Sequence, residues 1–200
     1  FAICTMDCGE YNNIHPVDKR TPGERLGNCA LHQVYGMSRI PVYGPTVLGF
    51  RCDEGGRVRL FFRYAHGLHF SGTTPDSYGD KFDKSLPSLV RLPERSGFEL
   101  AGADGVFHPA TAAIFVDCDI DDLINAKVNV VDYNATEFGI PINSRSIGTI
   151  TLATPEVPAP VMMRYAWRSW GPAPLFNDNN LPAHPFKLDL TDHTDSDHAE

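Results

Sequence analysis

The alternation of apolar and polar positions divides the chain into an opening strand–loop–helix unit and a longer strand-rich region. Phe1-Ala2-Ile3-Cys4-Thr5-Met6 is a short apolar run without alternation. That pattern predicts a strand covered on both faces, as in a parallel sheet. Asp7 to Lys19 is rich in Asp, Asn, Gly and Pro and reads as a loop. Thr21-Pro22-Gly23-Glu24 predicts a helix start, with Thr21 as cap and Glu24 reaching back to the cap backbone. Leu26, Ala30 and Val34 recur at helical spacing beside Cys29, and Gly36 supplies a left-handed stop.

Met37 to Pro45 is a linker with two prolines. From there the pattern turns to strands: Thr46–Cys52, Arg57–Tyr64 and Gly67–Phe70, with Glu54-Gly55-Gly56 as a turn. In the second of these Val58, Leu60 and Phe62 share one face and the arginines the other; Phe61 breaks the alternation. Residues 71–87 read as an excursion loop whose Tyr78 and Phe82 favour loop packing over a sugar-binding rim. Leu89–Leu92, Gly97–Leu100, Val106–Ala110, Ala113–Asp117, Lys127–Tyr133, Ser146–Ala153 and Val161–Trp170 are further predicted strands. Gly171 to Leu190 reads as an irregular tail and Thr191–Glu200 as a frayed terminus. No internal repeat is visible.

Composition narrows the class. The 200 residues are 42% hydrophobic and 21% charged, an ordinary globular balance, and no apolar run nears the length of a membrane helix. A net charge of −8 argues against nucleic acid as a partner. The five cysteines have no zinc-ligand spacing, and their odd number leaves at least one unpaired within the chain. Cys4 and Cys29 fit buried positions as free thiols. Asp117, Asp119, Asp121 and Asp122 lack the glycine and closing glutamate of a calcium loop and read as a solvated turn. His193 and His198 in the terminus are no better a metal site. Asn134-Ala135-Thr136 is a glycosylation sequon.

A polar loop after a strand is where open α/β sheets place their chemistry. This loop holds one histidine, His15, between Ile14 and Pro16. Imidazole, titrating near 6.5, suits a general base at neutral pH. A loop histidine is more often structural or solvated, so position alone does not assign it.

Three stretches carry a resemblance. Ile14-His15-Pro16-Val17-Asp18-Lys19 with Gly23-Glu24-Arg25-Leu26 resembles the catalytic-histidine block of sialate O-acetylesterases, in the SGNH hydrolase superfamily. Gly97-Phe98-Glu99-Leu100-Ala101-Gly102 resembles that family's G-F-E-[IL]-A-G segment. Arg164-Tyr165-Ala166-Trp167, then Leu175-Phe176-Asn177 and Leu181-Pro182-Ala183-His184-Pro185-Phe186, resembles its ending. Gly44-Pro45 matches the G-P that precedes a β domain there.

The resemblance is to the C-terminal portion of the family. It implies an α/β plus all-β fold. Residues 1–40 would be the last strand, histidine loop and helix of a three-layer α/β/α SGNH domain. Residues 41–170 would form an antiparallel β-sandwich-like domain, and 171–200 a wrapping tail. It implies a serine esterase that hydrolyses O-acetyl esters of sialic acid, needs no cofactor, and is secreted, periplasmic or lysosomal. The family's nucleophile lies in an N-terminal motif with no match here; Ser38, Ser71, Ser77, Ser96, Ser146 and Ser169 lack its context. The expected partner is therefore an N-terminal fragment or chain carrying the serine, which would also cover the buried strand and the apolar side of the helix. This chain would be the cleaved C-terminal part.

Many relatives orient the histidine with an Asp three residues earlier; here that residue is Asn12. In a serine protease the corresponding Asp→Asn change costs about 10⁴ in turnover. Three readings stay open: a backbone carbonyl or Asn12 holds the ring, Glu10 reaches in from the same loop, or Asp7 at the strand end is the carboxylate. Asp18 and Lys19 brace the loop and the helix cap. Two alternatives to the sialate reading remain: an acetylesterase of xylan or another glycan, and a non-catalytic sugar-binding accessory domain.

Overall fold

The computed structural model describes residues 2–10, 13–71, 89–90, 95–115, 129–130 and 147–191. Asn12, Tyr78, Phe82, the acidic run after Phe115, Cys118, Asn134, Ser77, Ser146, His193 and His198 lie outside the described residues.

Among the described residues there is one helix, α1 (Arg20–Gln33), followed by twelve strands. These are β1 (Thr46–Asp53), β2 (Arg57–Arg63), β3 (His69–Phe70), β4 (Leu89–Val90), β5 (Phe98–Ala101) and β6 (Phe107–Pro109). Then come β7 (Thr111–Phe115), β8 (Asn129–Val130), β9 (Gly148–Ala153), β10 (Met162–Tyr165), β11 (Leu175–Phe176) and β12 (Phe186–Asp189). One sheet has the order β4-β7-β9-β2-β1-β8, a second β12-β10-β5-β6, and β3 pairs with β11. Every pairing is antiparallel.

The two larger sheets share one core. Val58, Leu60, Phe62, Ile150 and Leu152 from the first cluster with Phe98, Leu100, Met163 and Tyr165 from the second, all fully buried. Removing each such side chain from water contributes about 2 kcal/mol. The expected inward face of β2 is correct, and Phe61 is buried as well. Phe186 of β12 bridges the layers, with its ring 6.0 Å from Phe62 and 5.6 Å from Tyr165.

Five expectations need correction. Residues 2–5 form no strand: among the described residues no strand pairs with their backbone, and the segment meets the tail, where the Cys4 thiol faces the Ala183 carbonyl at 3.6 Å. The helix begins one residue before Thr21, and its first turn is capped by Asp18, whose Oδ1 accepts the Thr21 N–H at 2.9 Å. Glu24 does not close a capping box but pairs with Arg20 at 2.6 Å, one turn back. The strand expected over Val161–Trp170 stops at Tyr165, because Ala166 turns left-handed with φ 48°. The tail is not irregular throughout, since β12 completes the edge of the four-stranded sheet beside β10.

The linker and the tail cross at a point that admits only glycine. A Cβ on Gly44 would lie 2.0 Å from the Pro182 carbonyl oxygen. Asn177 secures the same crossing. It is buried, donates through Nδ2 to the Tyr43 and Tyr64 carbonyls at 2.9 and 3.0 Å, and accepts the Leu181 N–H at 3.2 Å.

Candidate active-site loop and the clefts of the sheet region

The loop before α1 is tied at both ends. Glu10 reaches across its base: Oε2 accepts the Asn13 side-chain amide at 2.9 Å, and Oε1 accepts the Val17 N–H at 2.7 Å. These bonds, the backbone one first, hold the Glu10 carboxyl below its ordinary range. Asn13 Oδ1 accepts the backbone N–H of His15 at 2.9 Å. Asp18 closes the loop against the first turn of α1, and its bonds to Thr21 keep that carboxyl depressed too. His15 stands at the apex of this brace and is exposed, between Ile14 and Val17, which are also exposed.

The structure thus separates the candidates that the sequence grouped. Glu10 has one oxygen bonded to the Val17 N–H and the other to the Asn13 side chain. Asp7 is committed elsewhere: its two oxygens meet the Arg25 guanidinium at 2.6 and 2.7 Å, with both side chains nearly buried. Arg25 also donates to the Cys4 carbonyl at 2.7 Å. This pair fastens α1 to the segment before the loop. Asn12 lies outside the described residues.

Helix α1 buries Cys29, whereas Leu26 and Val34 are 53% and 66% exposed. Ile14 and Val17 before the helix and Tyr35 and Met37 after it are exposed as well. The free thiols Cys4 and Cys29 are buried, as expected; Cys8 is buried too, and burial pushes its thiol up to about 11.

The other two stretches of the resemblance meet in the four-stranded sheet. Glu99 of β5 lies opposite Arg164 of β10, accepts its Nε–H at 2.6 Å, and also accepts from Arg168. Burial pushes the Glu99 carboxyl up, but the two guanidiniums outweigh burial and hold it below the ordinary range. Tyr165 is fully buried, and its hydroxyl accepts the Leu175 N–H at 2.8 Å, so β10 carries the tail strand β11. A cleft of about 150 Å³ opens over Glu99, walled by Trp167, Arg168 and Pro172. A larger cavity of about 410 Å³ lies between the linker and the tail, lined by Tyr43, Tyr64 and His66. His66 Nδ1 lies 2.5 Å from Asp178. Sequence reasoning missed both clefts; only the Glu99 and Arg164 motifs marked one of them, and their pairing needed the strand register. The candidate Ser96, next to Gly97 of the cleft over Glu99, is buried, and its hydroxyl donates to the Ala110 carbonyl at 2.6 Å.

No family model matches the chain, and no curated protein matches it. Among solved structures it is similar to a carbohydrate acetylesterase from Xanthomonas citri, with a TM-score of 0.56 and 26% identity. The likeness covers 92% of this chain and 31% of that one, so the chain spans about a third of the length of the structure it matches. It bears on carbohydrate esterases in general and does not distinguish one acetylated sugar from another.

Proposed function

We propose that this chain supplies the catalytic base of a carbohydrate esterase that removes O-acetyl groups from sialic acid. The observation that carries this reading is the braced loop. Glu10 accepts the Asn13 side-chain amide and the Val17 N–H, Asn13 accepts the His15 N–H, Asp18 accepts the Thr21 N–H of α1, and His15 is exposed rather than buried. The similarity to a carbohydrate acetylesterase supports the reaction class.

In this reading a serine from the N-terminal portion attacks the ester carbonyl. His15 takes the serine proton during attack and returns it to the leaving sugar hydroxyl; water then releases acetate by the same route. That portion docks over Leu26, Val34, Ile14 and Val17, which gives the exposed apolar surface a cover and brings the serine to the imidazole. The ring is held by Asn12 or a backbone carbonyl. No residue here is assigned to a cofactor. A secreted, periplasmic or lysosomal location follows from the sugar class and belongs to the same proposal.

The test is hydrolysis of p-nitrophenyl acetate by the assembled protein and by His15→Ala. Loss of about 10² to 10⁴ in turnover is expected for a missing general base. Full activity in the variant removes His15 from the mechanism and returns the chain to the reading of a sugar-binding accessory domain. Acetylated xylan run beside O-acetylated sialic acid separates the two esterase readings: faster turnover of xylan overturns the sialate assignment.

A further inference from the structure

The cleft over Glu99 has features that structural packing does not require. Its volume of about 150 Å³ is that of a cavity able to hold one six-membered ring. Trp167 lines it and is 51% exposed. Behind it lie two guanidiniums and one carboxylate. Glu99 neutralises one of Arg164 and Arg168, so the cluster keeps a surplus positive charge in a chain of net charge −8. Arg164 is turned inward over the Phe107 ring at 4.0 Å, whereas the Arg168 side chain is half exposed at the cleft mouth.

The backbone that places Trp167 and Arg168 is strained. Ala166 has φ 48°, and Gly97 opposite has φ 75°; the Ala166 N–H donates to the Gly97 carbonyl at 2.8 Å. A left-handed alanine persists only where its surroundings over-determine it, and such residues gather at ligand sites. Here that turn ends β10 and directs the next two side chains to the cleft. The loop also touches the histidine segment: a Cβ on Gly9 would lie 3.6 Å from the Trp170 ring, and Gly9 precedes the loop brace Glu10.

We infer that this cleft binds one carboxylate-bearing sugar residue, with Trp167 stacking on its apolar face and Arg168 pairing with its carboxylate. The guanidinium fork matches a carboxylate in two bonds, and Glu99 fixes it from behind. The inference deepens the esterase reading and rests on it for turnover; binding itself stands without it.

The experiment is a titration of the 200-residue chain with N-acetylneuraminic acid and with its methyl ester, read by tryptophan fluorescence and by calorimetry. The acid is expected to bind saturably and the ester about tenfold more weakly, the scale of a lost charged hydrogen bond. Arg168→Gln should erase that preference, and Arg168→Lys should restore part of it. Trp167→Ala should weaken both ligands. Arg164 stays on Glu99 in the Arg168 variants, so a cooperative melt lowered by no more than a few degrees is expected, which separates lost binding from lost fold. Equal binding of acid and ester, no binding of either, or a preference that survives in Arg168→Gln overturns the inference. None of these results touches His15, whose own test is the loss of turnover in His15→Ala.

Discussion

Strand β2 and helix α1 carry equally regular apolar patterns and end in opposite circumstances. Val58, Leu60 and Phe62 recur every second residue and are fully buried between two sheets. Leu26 and Val34 recur at helical spacing and remain more than half exposed. The difference teaches that a period reveals an apolar face without revealing what covers it. In the sheet region the cover comes from the same chain, through long-range pairs such as Glu99 with Arg164 and Phe62 with Phe186. Around α1 the described residues supply a tether, Asp7 with Arg25, and little cover.

Substitutions in the two regions should break or sharpen that contrast. Leu60→Ala opens a hole in a closed core and should cost about 4 kcal/mol in a denaturant melt. Glu99→Gln leaves two guanidiniums with one neutral partner in place of a carboxylate, and should cost about 3 kcal/mol near neutral pH. Its pH dependence follows from the sign of the shift. The folded Glu99 carboxyl lies below its unfolded value of about 4.3, so its contribution is full above that value and is lost as the pH falls through the folded one. The gap between wild type and Glu99→Gln should therefore close below about pH 4 in acid melts. Gly44→Ala forces a methyl group into the Pro182 carbonyl and should cost about 2 kcal/mol by loosening the crossing of linker and tail. Leu26→Ala, in the 200-residue chain alone, should change stability by less than about 0.5 kcal/mol. A loss as large as that of Leu60→Ala would mean that α1 is already packed.

The sheet region was the more legible from sequence because its signals are local. Alternation named the inner face of β2, and Glu54-Gly55-Gly56 named the hairpin turn that joins it to β1. Strand β12 was hidden among prolines and asparagines, and its four alternating residues gain meaning only beside β10. The histidine loop was legible as a loop and as a resemblance, but the use of its acids was not. Asp7 and Glu10 both sit within reach along the chain, and only their partners, Arg25 and the Val17 N–H, show what each does. The helix cap went to Asp18 rather than Thr21 because Asp18 can serve the first-turn N–H groups while also ending the loop. Trp167 and Arg168 were read as part of a strand; the left-handed Ala166 that makes them a cleft wall leaves no mark in an Arg-Tyr-Ala-Trp sequence.

The core between the two larger sheets closes within the described residues, and we propose that α1 with its histidine loop is covered by a further polypeptide segment. Amide hydrogen exchange along the 200-residue chain tests it in one experiment. Amides of β2 and β9 should exchange only with global unfolding, while those of α1 exchange orders of magnitude faster through local opening. Equal protection of α1 and β2 in the isolated chain would contradict the claim, because the helix would then need no further cover.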